Sequence, residues 1–117
     1  MPDLATVEVR RRGDAVVVAI RGEVDISNVE EVEKALAASV DNGVRRHVID
    51  LSETVYLDSV GIRLLFAFAE QLRARRQEVH VVVPEDAPIR RVLMLVDLPG
   101  LVPMHASVDA LGLGGEG

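Results

Sequence analysis

The sequence contains no cysteine and no tryptophan, and its only aromatic side chains are one tyrosine and two phenylalanines. Without cysteine, the chain can form no disulfide, no iron–sulfur cluster and no thiol nucleophile. No apolar stretch approaches the roughly 20 residues that a membrane-spanning helix needs. At 117 residues, 49% of them hydrophobic, the chain has the size and composition of one compact domain with its own core.

Positive charge is also scarce, since 13 lysines and arginines stand against 19 acidic residues and the net charge is -6. Duplex binding needs a clustered basic face, and single-strand binding needs aromatic stacking platforms, so we expect no direct contact with nucleic acid. The first residues lack the basic and apolar segments of a secretion signal. We therefore expect a cytoplasmic protein without a membrane partner.

The hydrophobic pattern predicts alternating strands and helices in the order β-β-α-β-α-β-α-β-α. The first two strands form a hairpin at Gly13 and Asp14. Because strand–helix–strand crossovers make parallel neighbours, we predict a single α/β domain with a mixed sheet of about five strands and helices packed on it. We assign the domain to residues 1–111 and expect a disordered, glycine-rich tail at 112–117.

The first predicted helix has signals at both ends. Ser27 and Glu30 are spaced as a capping box, in which a hydroxyl and a carboxylate bind the first free N–H groups of a helix. Gly43 stands where a left-handed residue would end that helix. The later elements are predicted as a helix from about 59 to 76, a strand over 79–83, a helix after Pro88, a strand near 101–104 and a final helical turn from Ser107.

Polar side chains follow several predicted strands. Parallel strands joined by crossovers end on the same edge of a sheet, so the segments after Ile20, Leu51 and Val83 should meet there. Together with the start of the second helix, the side chains brought to this edge are Glu23, Asp25, Ser52, Asp58, Ser59 and Glu85. This acidic edge is the candidate functional site.

Two motif-like patterns suggest nucleotide binding or catalysis, and each lacks a necessary part. Residues 112–117 match G-x-G-x-x-G but have no helix after them. Ser59 lies in half of a nucleophile elbow, with Leu57 where the first glycine should be. We read the three histidines as core or solvated side chains, and no metal-ligand spacing is present. We therefore predict neither an enzyme nor a cofactor or metal site.

A receiver-like domain, in which carboxylates hold Mg²⁺ beside a phosphoaccepting aspartate, is a less favoured alternative. The chain length and the α/β order fit it. However, such domains use a lysine at the end of a late strand to contact the phosphoryl group. The only lysine here, Lys34, belongs to the first predicted helix.

Asp58 and Ser59 stand at the start of the second helix, where either side chain could be a plain N-cap. Asp58 can cap by itself, and Gly61 keeps the approach to Ser59 uncluttered, as modification by another enzyme requires. The same helix has two apolar sides, of which one should meet the sheet and the other a neighbouring helix. The alternative is that Leu64 and Phe68 extend a docking surface beyond Ser59.

Several short motifs carry a family resemblance through their order and spacing. They lie at residues 22–25, 48–52, 56–61, 88–93, 98–101 and 107–111. Together they resemble the STAS domain of bacterial anti-sigma factor antagonists over about residues 7 to 111. The resemblance implies a STAS-like fold and a regulator that works through protein–protein interaction.

The resemblance implies that Ser59, which follows the motif's Asp58, is phosphorylated by an anti-sigma factor that is also a serine kinase. The unphosphorylated protein would bind the anti-sigma factor and free the sigma factor, phosphorylation would end the binding, and a serine phosphatase would restore it. Val60 replaces a second Ser or Thr that the family often has, which leaves Ser59 as the sole acceptor there. Other STAS domains act in stress complexes or transporter regulation, and this non-sigma role stays an alternative.

The predicted partner-binding residues are Glu23, Asp25, Ser52, Asp58, Ser59, Val60, Gly61 and Leu64. Phosphorylation would add about -1.5 to -2 charge beside carboxylates. The free N–H groups of the helix N-terminus can accept the phosphate. We therefore expect an electrostatic off-switch with little internal rearrangement.

Overall fold

The computed structural model describes residues 5–113 and contains six strands in one sheet and three α-helices. The strands are β1 (Ala5–Arg12), β2 (Ala15–Val24), β3 (Arg46–Asp50), β4 (Thr54–Leu57), β5 (Glu78–Val82) and β6 (Met104–His105). The helices are α1 (Val29–Ser39), α2 (Ser59–Ala74) and α3 (Arg90–Leu95), with 3-10 turns at Leu98–Gly100 and Asp109–Leu111. The predicted α/β fold is confirmed, with β4 as an additional strand.

The sheet is mixed because only its first pair of strands is antiparallel. β1 and β2 form the predicted hairpin, with Arg12 opposite Ala15. β3 runs parallel to β2, β5 to β3 and β6 to β5, which gives the strand order β1-β2-β3-β5-β6. The helices lie in the connections between these parallel strands, as crossovers require. The ends of β2, β3 and β5 therefore share one edge, as predicted.

The additional strand, β4, pairs with the end of β2. Gly22 lies opposite Thr54, and Val24 lies opposite Leu57. The buried Thr54 hydroxyl donates a hydrogen bond to the Ile20 backbone oxygen at 2.6 Å. The sequence pattern missed this strand because its two middle side chains are both exposed and its two outer ones both buried, which is not the alternation of a half-buried strand.

The helices cover one face of the sheet, and the main hydrophobic core lies between them and the strands. Val18, Ile49 and Val81 come from three neighbouring strands and are fully buried in it. Leu36 of α1 and Leu72 of α2 are buried against the same core. Among residues 5–113, no helix has the length and apolar character needed to cross a membrane.

The C-terminal segment covers part of the opposite face. Leu113 is buried in a small cluster with Ala15, Val17 and Val48. Leu113 belongs to the segment that we predicted as a disordered tail, and the last residues of that segment, 114–117, lie outside the described residues. The domain boundary at 111 stays a prediction.

The start of α1 differs from the predicted capping box. Its N-cap is Asn28, which makes no side-chain cap hydrogen bond. The Ser27 hydroxyl donates instead to Asp25 Oδ1, and the Asn28 side-chain amide donates to the Glu23 backbone oxygen at 2.8 Å. The capping-box prediction was wrong because the nearby Asp25 carboxylate takes the hydroxyl that would have capped the helix.

The end of α1 also differs from the prediction. The helix ends at Ser39, and Val40 is already extended. Gly43 is not in the left-handed region, and its N–H donates to Asp41 Oδ1 at 2.8 Å. The predicted left-handed glycine was wrong because the Asp41 side chain closes this turn.

Gly13 and Gly112 both have left-handed backbone, but only Gly13 lies in a tight contact. Alanine substitutions at the two positions therefore distinguish the cost of left-handed backbone from the cost of a steric clash. Their φ angles are +59° and +63°. A Cβ at Gly13 would lie 2.1 Å from the Leu113 backbone oxygen, whereas one at Gly112 meets nothing within 4 Å. We expect Gly112→Ala to lower the free energy of unfolding by about 1 kcal/mol. Gly13→Ala should lower it by about 2 kcal/mol or more, because the C-terminal segment must also shift.

Urea denaturation of the two variants measures both losses. Equal losses would contradict the packing of the C-terminal segment against the hairpin turn.

Candidate functional site

The candidate site lies where β2 and β4 end and α2 begins. Val24 and Leu57 pair at the ends of the two strands. The Asp58 N–H donates to the Val24 backbone oxygen at 3.2 Å, and α2 begins at the next residue, Ser59. The helix N-terminus is therefore held directly against the edge of the sheet.

Asp58 joins this helix to the loop between β2 and α1. Its Oδ1 accepts a hydrogen bond from the Gly61 N–H at 2.8 Å, which is the N-cap interaction. Its Oδ2 accepts a second one from the Ile26 N–H at 3.1 Å. The prediction that Asp58 can cap α2 by itself is confirmed.

The loop between β2 and α1 is closed by its own side chains. Asp25 Oδ1 accepts hydrogen bonds from the N–H of Ser27, at 2.9 Å, and from its hydroxyl. Asn28 Oδ1 accepts one from the Asp25 N–H at 3.0 Å. The side chain of Ile26, inside this loop, is 76% exposed. The loop thus presents an apolar side chain to solvent beside Asp58.

Ser59 is exposed, and its hydroxyl has no hydrogen-bond partner in the part of the chain that the structure describes. Because Asp58 supplies the cap, α2 does not need this hydroxyl. The N–H groups of Asp58 and Gly61 are bonded, so those of Ser59 and Val60 are the first-turn donors left without a partner within 5–113. The positive end of the helix dipole adds to them. The free donors and the dipole together favour negative charge at this end of α2.

Gly61 allows α2 to pack closely on the sheet and does not control access to Ser59. It is buried, and a Cβ there would lie 2.8 Å from the Val24 backbone oxygen and 3.4 Å from a Leu57 methyl group. The missing side chain lets α2 approach the end of β2. The prediction that Gly61 keeps the approach to Ser59 open was wrong because Gly61 faces the sheet.

Only part of the predicted acidic edge is joined by contacts. Asp58 reaches the loop that Asp25 closes. Ser52 instead donates its N–H and its hydroxyl to Asp50 Oδ1. Glu85 is exposed and has no hydrogen bond or ion pair to another described residue. No group of three or more histidine or acidic side chains in the described range could hold a metal ion.

The three histidines have partners other than Ser59. His47 is buried at the start of β3, where its Nε2 accepts a hydrogen bond from the Asp41 N–H at 3.2 Å. Burial lowers the pKa of His47. His80 Nδ1 lies 2.9 Å from His105 Nε2. Among the described residues, no histidine is hydrogen-bonded to the Ser59 hydroxyl as a catalytic base would be.

Both apolar sides of α2 are packed, as the simpler interpretation predicted. Leu64 is 9% exposed and Phe68 is 3% exposed, so Phe68 does not extend a docking surface. An open groove of about 260 Å³ nevertheless lies between α1 and α2. Val60 and Leu64 line it from α2, and Val29 lines it from α1. The groove begins one residue after Ser59.

Three exposed side chains around Ser59 were not identified from the sequence. Besides Ile26, Tyr56 is 48% exposed, and it pairs opposite Glu23 at the end of β2. Arg63 is exposed on α2, four residues after Ser59 and therefore one turn along the same face. Arg63 could have been identified from the sequence, because its four-residue spacing from Ser59 places both residues on the same face of the helix. The exposure of Ile26 and Tyr56 depends on loop and strand contacts that a local pattern does not contain.

The chain matches one protein family over most of its length. A family model described as the STAS domain matches residues 6–111. BtrV of Bordetella bronchiseptica, a candidate anti-sigma factor antagonist, is 35% identical over 95 residues, which cover 80% of each protein.

Solved structures share the fold. An anti-sigma factor antagonist from Mycobacterium paratuberculosis is similar with a TM-score of 0.82 and 30% identity over 97% of both chains. SpoIIAA of Bacillus, at 19% identity, is similar in fold in its unphosphorylated form (TM-score 0.67, 92% of both chains). Its phosphorylated form is similar with a TM-score of 0.62 over 92% of this chain and 96% of SpoIIAA.

Asp58 and Ser59 should contribute very differently to stability. We expect Asp58→Ala to lower the free energy of unfolding by about 1–2 kcal/mol, because the cap and the contact with Ile26 are both lost. Ser59→Ala removes a hydroxyl that has no partner within 5–113 and should change the free energy of unfolding by less than about 0.5 kcal/mol. Urea denaturation measures both, with Asp58→Asn as the control that keeps one acceptor oxygen. A loss for Ser59→Ala as large as that for Asp58→Ala would contradict a free hydroxyl.

Proposed function

The chain belongs to the STAS domain family, among its anti-sigma factor antagonists, and from this premise we propose that its unphosphorylated form binds an anti-sigma factor and so frees a sigma factor. The anti-sigma factor in this proposal is a serine kinase that phosphorylates Ser59, and the phosphorylated chain releases it. A serine phosphatase then restores the binding form. Like other anti-sigma factor antagonists, the protein is a regulator and not an enzyme.

One observation carries the proposal: the Ser59 hydroxyl is exposed at the start of α2 and makes no hydrogen bond to any residue that the structure describes, while its neighbour Asp58 caps the helix. If the hydroxyl were the cap, its esterification would remove a bond that stabilises α2. Since Asp58 provides the N-cap hydrogen bond, Ser59 can be modified without loss of the cap. SpoIIAA has this fold in both its unphosphorylated and its phosphorylated form, which fits a modification that leaves the fold intact.

The switch follows from the charges around Ser59. A phosphate there adds about -1.5 to -2 charge at pH 7. The free N–H groups of Ser59 and Val60 and the guanidinium of Arg63 are available to its oxygens, so the chain itself tolerates the modification. Toward a partner, the same charge adds to the carboxylates of Asp25 and Asp58. It repels an acidic surface, and docking on an apolar surface would require the phosphate to lose its hydration. About 1.4 kcal/mol of repulsion weakens binding tenfold.

The proposed docking surface has an apolar centre and a polar rim. Ile26 and Tyr56 are its exposed apolar members, and the groove between α1 and α2 continues it along Val60 and Leu64. The surrounding polar residues are Glu23, Asp25, Ser52, Asp58 and Ser59. Such a combination is typical of protein interfaces. Gly61, being buried, acts only through the position of α2.

Ser59 and Ser52 provide a matched pair for testing the site of modification. Both serines are exposed near the same edge of the sheet. After incubation with ATP and candidate anti-sigma factor kinases, intact-mass analysis should find one phosphate on the unaltered chain and on Ser52→Ala, and none on Ser59→Ala. Phosphate that persists on Ser59→Ala would contradict the assignment. An acid-labile, Mg²⁺-dependent phosphate on an aspartate would favour a receiver-like activity instead.

Ile26 and Leu95 provide a matched pair for testing the docking surface, because they are 76% and 75% exposed. Ile26→Asp puts a charge into the proposed apolar centre and should weaken binding to the anti-sigma factor at least about tenfold. Leu95→Asp makes the same change on α3 and should leave the affinity unchanged. Isothermal titration calorimetry measures both affinities. An unchanged affinity for Ile26→Asp, or recovery of a transporter or stress-complex scaffold in pull-downs in place of an anti-sigma factor, would contradict the proposal.

A further inference from the structure

The outer edge of β1 is the longest strand edge without a partner among residues 5–113. β1 has eight residues and pairs only with β2. Arg12 and Ala15 pair across a two-residue turn, which makes them a hydrogen-bonded pair. Every second residue counted back from Arg12 therefore bonds to β2, and the residues between them direct their N–H and C=O groups outward. These outward residues are Ala5, Val7, Val9 and Arg11.

β1 has one of the features that discourage an exposed edge from pairing with another strand, the charged side chains of Glu8, Arg10, Arg11 and Arg12, but it lacks others. It contains no proline and no glycine, and its pairing with β2 has no bulge. Val9, near its middle, is 47% exposed. With Ala35 and Ala38 of α1, Val9 lines an open groove of about 430 Å³. The edge therefore offers free backbone groups beside an uncovered apolar side chain.

When two copies of β1 are paired antiparallel, one register sets side chains of opposite charge across from each other. Opposite residues of an antiparallel pair lie on the same face of the sheet. A two-fold axis at Val9 sets Glu8 of each copy opposite Arg10 of the other and sets the two Val9 side chains side by side. An axis at Glu8 or at Arg10 would set like charges opposite each other. Because Val9 directs its N–H and C=O outward, the favoured register also forms two backbone hydrogen bonds across the axis.

The surroundings of Glu8 and of Arg10 both favour this charge pair. Glu8 accepts a hydrogen bond from Arg21 at 2.7 Å, and this bond, with a smaller contribution from Arg10, lowers the pKa of Glu8. Glu8 is thus held in its charged form. The Arg10 side chain makes no hydrogen bond or ion pair with another residue within 5–113, so its charge is not already paired inside the described part of the chain.

We propose that a second copy of this chain docks antiparallel on the outer edge of β1, with the two-fold axis at Val9, and forms one sheet continuous across both copies. The two-fold contact uses the same edge of both copies, so the assembly closes as a dimer. β1 and β4 flank β2 on opposite sides. The dimer contact is therefore separate from the surface around Ser59 and does not rest on the proposed function.

Charge reversal tests the register directly. Sedimentation equilibrium of the full chain over a concentration series should show a reversible rise from 12.7 kDa toward the mass of two copies. Arg10→Glu and Glu8→Arg, each alone, set like charges opposite each other and should weaken association at least about tenfold. An equimolar mixture of these two variants should associate again, because every opposed pair then has opposite signs. Arg91→Glu on α3 makes a matched change in net charge and should associate like the unaltered chain.

Val9→Pro provides a second test that does not depend on charge. It removes the outward N–H while leaving the hydrogen bonds to β2 in place, and it should abolish association. Thermal unfolding checks the fold of every variant, since Glu8 also binds Arg21. The proposal would be overturned by an unaltered chain that stays monomeric up to about 1 mM. Association that survives Arg10→Glu and Val9→Pro would overturn it as well, because the copies would then meet through another surface.

Discussion

The candidate site depends on the hydrogen bonds of one carboxylate, that of Asp58. Its two oxygens accept N–H donors from different segments, Gly61 in the first turn of α2 and Ile26 in the loop before α1. A single side chain thereby caps the helix and fixes the loop beside it. The consequence for Ser59 is that its hydroxyl has no hydrogen-bond partner among residues 5–113, at a helix N-terminus that Asp58 already caps.

Because Asp58 and not Ser59 caps the helix, the proposed phosphorylation of Ser59 would not damage the fold. A helix start with its cap on one residue and an exposed hydroxyl on the next can accept a phosphate, because the remaining N–H groups and the helix dipole favour negative charge there. The chain as a whole has a net charge of -6, so the added charge strengthens repulsion toward acidic partners. The close packing of Gly61 on Val24 limits any movement of the helix in response. The expected change is therefore in the surface and not in the core.

The sequence was sufficient to predict the fold class and the start of α2, because the apolar periodicity is strong and Asp58 is a local cap signal. It was insufficient where side chains compete or where distant segments meet. Ser27 was predicted to cap α1, but Asp25 takes its hydroxyl. Gly61 was predicted to keep an approach open, but it faces a backbone oxygen from another element. The exposure of Ile26 follows from a loop closed by hydrogen bonds that no periodic pattern records.

The central claim is that a phosphate on Ser59 ends partner binding while the fold persists. The most direct measurement is calorimetric titration of the anti-sigma factor with the unmodified chain and with the chain phosphorylated stoichiometrically at Ser59, alongside circular dichroism of both forms. The account predicts superimposable spectra and an affinity at least about tenfold weaker for the phosphorylated form. Equal affinities, or a phosphorylated chain that has lost its folded spectrum, would contradict it.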